Sequence, residues 1–132
     1  MNVVLKDLSQ HALAYLGDSV IELKVRTMLV EKGLAKSKSL NSAALEYVTA
    51  TAQAQAADRL LPYLDEEEQG VFRRGRNSNS GNVPKSATCF EYKKATGLEA
   101  LFGYLYLAGR TDRVDELFKL AYPDAADGKD TE

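Results

Sequence analysis

Apolar residues recur along most of this chain at the three- and four-residue intervals that line one face of a helix, and nowhere do they alternate cleanly as in a strand. The pattern predicts a first long helix over residues 8–32, which Gly33 stops. Residues 36–42 (KSKSLNS) read as a polar connector or a short helix. Residues 43–61, rich in alanine, glutamine and leucine, predict the next helix, and Pro62 ends it. Its alanine content marks it as a tightly packed structural element rather than a chemical one. Asp65 opens a further helix, DEEEQGVFRRGR, with acids at its start and arginines at its end, as the helix dipole favours. Residues 77–86 (NSNSGNVPKS) carry the strongest loop signal, and two more helices follow over about 87–107 and 111–121, with Gly109 between them. The expected fold class is all-α, a compact helical bundle.

Two places break this pattern. In LAYLGDSVIELKVR, from Leu13 to Arg26, a helix gathers Leu13, Leu16, Val20 and Leu23 on one face and points Asp18 away from them, with His11, Ala14 and Glu22 above and below it. Ile21, Val25 and Met28 flank the acid, so the helix is apolar on both sides, as helices central to a domain are. A carboxylate in packed surroundings costs free energy unless it is paired or bound to a metal. Gly17 beside it costs a helix about 1 kcal/mol relative to alanine. A cap offers an equal alternative, in which Asp18 precedes a helix beginning at Ser19 and Gly17 belongs to a loop. The second place is ATGLEALFGYLYL, where Glu99 shares a face with Tyr92, Ala95, Thr96, Gly103 and Tyr106, between Leu98 and Phe102. Two isolated acids, each within a turn of a glycine, fit a pair converging on a divalent cation. Mg²⁺ takes oxygen ligands and keeps several waters, so one or two carboxylates and the phosphates of a substrate suffice. The structural alternative pairs Glu99 with an arginine or lysine across the core.

Charge changes the picture in one segment. The net charge of −2 does not itself suggest nucleic acid, but from Gly70 to Lys94 six cations (Arg73, Arg74, Arg76, Lys85, Lys93, Lys94) stand against one acid, Glu91. Such cations around a loop of asparagine and serine suit phosphate oxygens, although a basic cluster is more often a solvated face. With 132 residues, 45% hydrophobic and 27% charged, the chain reads as one soluble domain over 1–122, with a frayed acidic tail over 123–132. Cys89, the single cysteine, excludes an internal disulfide framework and fits a reducing cytoplasm. The start, MNVVLKDLSQ, lacks the apolar core of a signal peptide, and no apolar run is long enough to span a membrane.

These residues carry a resemblance. Leu13-Ala14-Tyr15-Leu16-Gly17-Asp18-Ser19-Val20 resembles the signature of the ribonuclease III family, which runs leucine, glutamate, aromatic, leucine, glycine, aspartate, then alanine or serine. Thr96-Gly97-Leu98-Glu99-Ala100, followed by Gly103, resembles that family's second acidic motif, aspartate-x-x-glutamate-alanine. From about Leu8 to Ala121 the chain is similar to the Mini-ribonuclease III subfamily, in which the nuclease domain stands without an RNA-binding domain. Arg73-Arg74-Gly75-Arg76-Asn77, Pro84-Lys85 and Leu98-Glu99-Ala100-Leu101 carry that closer likeness. Ala14 and Thr96 stand where the family has glutamate and aspartate, so two of its four site carboxylates are missing; the subfamily shows the same losses. They leave the number of metal ions open and imply weaker metal affinity.

The resemblance implies an all-helical endonuclease domain forming a two-fold homodimer, with Tyr15 inserted into the partner. It implies Asp18 and Glu99 as the catalytic and metal-binding carboxylates, Mg²⁺ as cofactor with Mn²⁺ able to substitute, and Arg73, Arg74, Arg76, Asn77 and Lys85 as RNA-binding residues. The implied reaction is hydrolysis of double-stranded RNA to 5′-phosphate and 3′-hydroxyl ends, with precursor 23S ribosomal RNA as substrate and a ribosomal protein bound to it. His11 and Glu22 read as structural. Two other classes remain distinct in their consequences. A non-catalytic RNA-binding protein on the same fold would bind RNA indifferently to Mg²⁺ and to Asp18→Asn, and a helical adaptor would not bind duplex RNA at moderate salt.

Overall fold

The computed structural model describes residues 8–78 and 88–123. Among them are six α-helices, a short 3₁₀ turn and no strand, so the all-α expectation holds. Helix α1 spans Gln10–Glu31 and is capped by Ser9, whose side chain accepts a hydrogen bond from the Ala12 N–H. Asp18 therefore lies mid-helix and caps nothing. Gly33 ends the helix with a φ of 93°, and Gly109 turns the chain before the last helix with a φ of 76°, conformations that side-chain-bearing residues adopt only at a cost.

The stretch expected as one helix over 43–61 is two. Helix α2 spans Ser37–Val48, absorbing the KSKSLNS connector, and α3 spans Ala50–Leu60. Thr49 divides them, with an extended backbone (ψ 158°) and a hydroxyl that accepts from the Ala52 N–H. A threonine that satisfies a free helix N–H competes with continuing the helix through it. A 3₁₀ turn, Leu61–Tyr63, contains Pro62 and leads to α4, Glu66–Arg76. Asp65 and Glu68 close the start of α4 with a reciprocal capping box. Thr88 and Glu91 do the same for α5, Cys89–Leu107, and α6 follows as Thr111–Ala121.

The centre of the bundle is α5, which packs against α1, α3, α4 and α6. Its Leu98, Leu101, Phe102 and Leu105 are fully buried. The expectation that the first helix is central needs correcting. Helix α1 buries Val20, Ile21, Val25, Met28 and Leu29, but Leu23 is 64% exposed and Tyr15 82%. Residues of both its apolar sides are buried, Leu13 and Val20 on one and Ile21, Val25 and Met28 on the other, and the apolar surface left outside is that of Tyr15 and Leu23.

One buried ion pair was not legible in the pattern. Glu68 is 0% exposed, and Arg113 of α6 donates to both its oxygens, from Nε and Nη2, at 2.8 Å each. Arg113 also donates to the Tyr63 carbonyl and to Glu116. The hydrogen bonds from Arg113 hold the Glu68 carboxyl below its ordinary range, so the pair pins the start of α4 to α6 in its charged form. No helix among the described residues is long and apolar enough to cross a membrane. The expected tail lies, apart from Pro123, outside the described residues, as do Lys85 and most of the loop before α5.

Candidate active site

Glycine decides how α1 and α5 meet. A methyl group built on Gly17 would lie 1.6 Å from the Glu99 carbonyl oxygen, and one on Gly103 would lie 2.1 Å from the Leu13 carbonyl oxygen. The two helices thus touch backbone to backbone, which no other residue at either position allows. Asp18 follows Gly17 directly, and Glu99 supplies the backbone that Gly17 receives. Gly17, which looked costly in the sequence, and Gly103 are what bring the two acids together.

The carboxyl groups of Asp18 and Glu99 hydrogen-bond to each other. Glu99 is half-buried, and burial pushes its pKa up to about 8, with the negative charge of Asp18 pushing in the same direction. A hydrogen bond from the buried Gln53 side chain opposes that rise. Asp18 is counted among the exposed residues, which corrects the packed environment expected for it. Its carboxyl is nonetheless partly shielded from water and its pKa is raised, first by that burial and then by the charge of Glu22, one turn along α1. Near neutral pH one proton is held between the two acids, a property of the pair rather than of either residue. Among the described residues no lysine or arginine forms the ion pair with Glu99 that the structural alternative requires.

Two converging carboxyls whose charges repel form a site that a cation would relieve. Among the described residues no group of three or more histidine, cysteine, aspartate or glutamate side chains is placed to hold a metal. The donor set is therefore small, hard and all oxygen. It fits Mg²⁺, which keeps most of its waters and takes phosphate oxygens as further ligands, and does not fit a metal needing a complete protein cage. The positions of the two missing family carboxylates are closed. Ala14 is buried against Leu13 and Ala100, and the Thr96 hydroxyl donates to the Tyr92 carbonyl one turn back. Glu22 pairs with Arg26 at 2.8 Å, and His11 is exposed in the first turn of α1.

Arg73, Arg74 and Arg76 occupy the last turn of α4, with Arg73 and Arg74 exposed. Asn77 ends that helix and accepts a hydrogen bond from Arg76 Nε at 3.2 Å. A methyl group on Gly75 would meet the Ala100 Cβ at 2.7 Å and the Gly97 Cα at 3.1 Å, so this arginine-bearing turn crosses α5 within the same turn as Glu99. The chain segment carrying cations and the one carrying the acids are brought to one neighbourhood. Gln53 was missed by sequence reasoning, which dismissed its helix as structural. The signal was present, because residues 53, 56, 57 and 60 form one helical stripe and three of them are apolar.

Residues 11–110 match the family described as the ribonuclease III domain. The chain is 50% identical over 109 residues to the Mini-ribonuclease 3 of Symbiobacterium thermophilum, covering 83% of this chain and 84% of that one. It is 46% identical over 110 residues to the Mini-ribonuclease 3 of Brevibacillus brevis, covering 83% and 82%. A crystal structure of a protein from Fusobacterium nucleatum is similar with a TM-score of 0.81 at 32% identity, over 89% of this chain and 95% of that one.

Proposed function

The chain belongs to the ribonuclease III family and is an endoribonuclease, and from that premise we propose that it cuts double-stranded RNA by Mg²⁺-dependent hydrolysis at Asp18 and Glu99. The observation that carries this reading is the hydrogen-bonded pair of carboxyls, set at a glycine-to-backbone crossing with no cationic side chain among the described residues in an ion pair with Glu99. Asp18 and Glu99 would hold the cation. When bound there, Mg²⁺ supplies a polarised phosphate and a water of lowered pKa. Taking up the cation requires Glu99 to give up the proton it holds near neutral pH. Arg73, Arg74 and Arg76, with Asn77 and Lys85, bind and orient the phosphate backbone, in keeping with the way duplex RNA is read by shape, phosphates and 2′-hydroxyls. The products are 5′-phosphate and 3′-hydroxyl ends.

Cutting both strands takes two sites, and each chain provides one. The proposal includes a two-fold homodimer in which the exposed Tyr15 and Leu23 of α1 are covered by the partner. The substrate we infer is the precursor of the large-subunit (23S) ribosomal RNA, presented with a ribosomal protein bound; this rests on the resemblance to Mini-ribonuclease III.

The test is cleavage of a long perfect RNA duplex with Mg²⁺ by wild type, Asp18→Asn and Glu99→Gln, with binding measured separately. Wild type is expected to cut, and both variants to bind RNA but cut on the order of 100-fold more slowly. If all three bind alike and none cuts, the protein is an RNA-binding module on a nuclease fold. If the variants cut as wild type does, the carboxylates are not the site.

A further inference from the structure

Three polar side chains are buried among the described residues: Gln53, Glu68 and Thr96. The Glu68 carboxylate is accounted for by Arg113 and by the Asp65 N–H that donates to it, and Thr96 by its bond to the Tyr92 carbonyl. Gln53 is 2% exposed and lies on the stripe of α3 that packs on α5, beside Ala56, Ala57 and Leu60, all fully enclosed. A glutamine placed there loses its water and must recover the loss in hydrogen bonds. An alanine or leucine would have packed without that demand, so its position asks for a reason.

Its partner supplies one. The Gln53 side chain hydrogen-bonds to the Glu99 carboxyl. Glu99 is thus gripped from two directions, with α1 pressed against its backbone at Gly17 and α3 reaching its side chain through Gln53. We propose that Gln53 is a positioning residue, whose amide occupies one side of the Glu99 carboxyl and turns the remaining oxygen toward Asp18, so that the pair meets a divalent cation preorganised. This deepens the two-carboxylate reading of the site and rests on it. A carboxylate free to rotate would present its oxygens in many orientations, whereas one fixed by a buried donor loses little on binding. With only two carboxylates present, each one's orientation matters more than in a site with spare ligands.

The experiment uses the full chain and Gln53→Met, which keeps length and apolar packing but has no donor. Mn²⁺ affinity is read directly by electron paramagnetic resonance without RNA, alongside kcat and KM for a long RNA duplex. Gln53→Met is expected to melt within a few degrees of wild type, to bind Mn²⁺ roughly tenfold more weakly, and to lose kcat by about 10- to 100-fold. KM for the duplex is expected to stay within about twofold, since phosphate contacts are untouched. A Gln53→Met protein that takes Mn²⁺ with wild-type affinity overturns the proposal. Should that variant not fold, the Gln53 side-chain amide of metal-free wild type is followed by nitrogen-15 NMR. Its resonances are expected to move in Glu99→Gln and on adding Mg²⁺, and resonances indifferent to both overturn the proposal. Failure of the nuclease reading shows separately, as a wild type that cuts no duplex while its Mn²⁺ affinity still depends on Gln53.

Discussion

Glu99 is a carboxyl that burial and the nearby Asp18 hold protonated to a pH of about 8, and this gives the domain a signature in the absence of metal. Its folded pKa lies above its ordinary value of 4.5, so its contribution to stability is fully present below that value and is lost as the pH rises through about 8. Glu99→Gln cannot ionise and escapes the loss. In metal chelator the variant should therefore melt about 2–4 °C above wild type at pH 8.5, with the gap shrinking toward pH 5. Thermal melts followed by circular dichroism across that range decide it, and a gap independent of pH would show that the two acids do not repel. Excess Mg²⁺ at pH 8.5 should close the gap, because a cation between the carboxylates stabilises the charged form that the bare protein resists.

Between α1 and α5 the contact is set by backbone, so the consequences of changing it belong to the helices rather than to any one side chain. The methyl group of Gly17→Ala would fall 1.6 Å from the Glu99 carbonyl oxygen, and that oxygen belongs to the backbone of the central helix and cannot turn aside. The helices must move apart. The expected cost is about 1–3 kcal/mol or more, with a fall of several degrees in melting temperature. If Asp18 and Glu99 hold the cation as proposed, cleavage should fall further than stability does, because an ångström of separation between them would be felt in the chemistry. A Gly17→Ala protein with wild-type melting and cleavage would mean that the crossing is looser than described. Gly33, with open space around its position and a positive φ, marks the contrast: a substitution there strains a turn and leaves the site alone.

At the scale of the whole molecule, Tyr15, Leu23 and Val30 leave large apolar side chains exposed on α1, the helix that also carries Asp18. Tyr15 and Leu23 are 82% and 64% exposed, side chains whose burial stabilises by about 1.5–3 kcal/mol each. If two copies meet there, each active site stands at a fixed relation to the dimer axis, because Tyr15 precedes Asp18 by less than a turn of one helix. Tyr15→Ala should then weaken the dimer by a factor of ten or more, read by sedimentation velocity. Duplex products should shift toward single-strand nicks as the partner site is lost. A wild type that sediments as a monomer at all concentrations would remove the two-strand mechanism while leaving the site itself intact.

Much of this was readable in the chain. Helix starts and stops are local chemistry, so Asp65, Pro62, Gly33 and Gly109 announced themselves, and an acid beside a glycine inside an apolar helix is a local anomaly whether or not anything is known of its partner. Asp18 and Glu99 were legible for that reason. Thr49 was not, because a threonine continues a helix or caps the next one according to what the neighbouring helices bury. Nor could the pattern say that α5 rather than α1 is the centre, since both are apolar on two sides and only packing decides which side meets protein. Gln53 and the Glu68–Arg113 pair share that character: one glutamine among alanines and one glutamate in an acidic run look like their neighbours until a distant helix arrives. Residue type and spacing by themselves determined the helical class, every helix but the pair divided at Thr49, the two acids and the glycines. The tertiary structure alone decided that those glycines let two helices touch and that the two acids there meet, because Asp18 and Glu99 lie far apart along the chain and only packing brings their helices into contact.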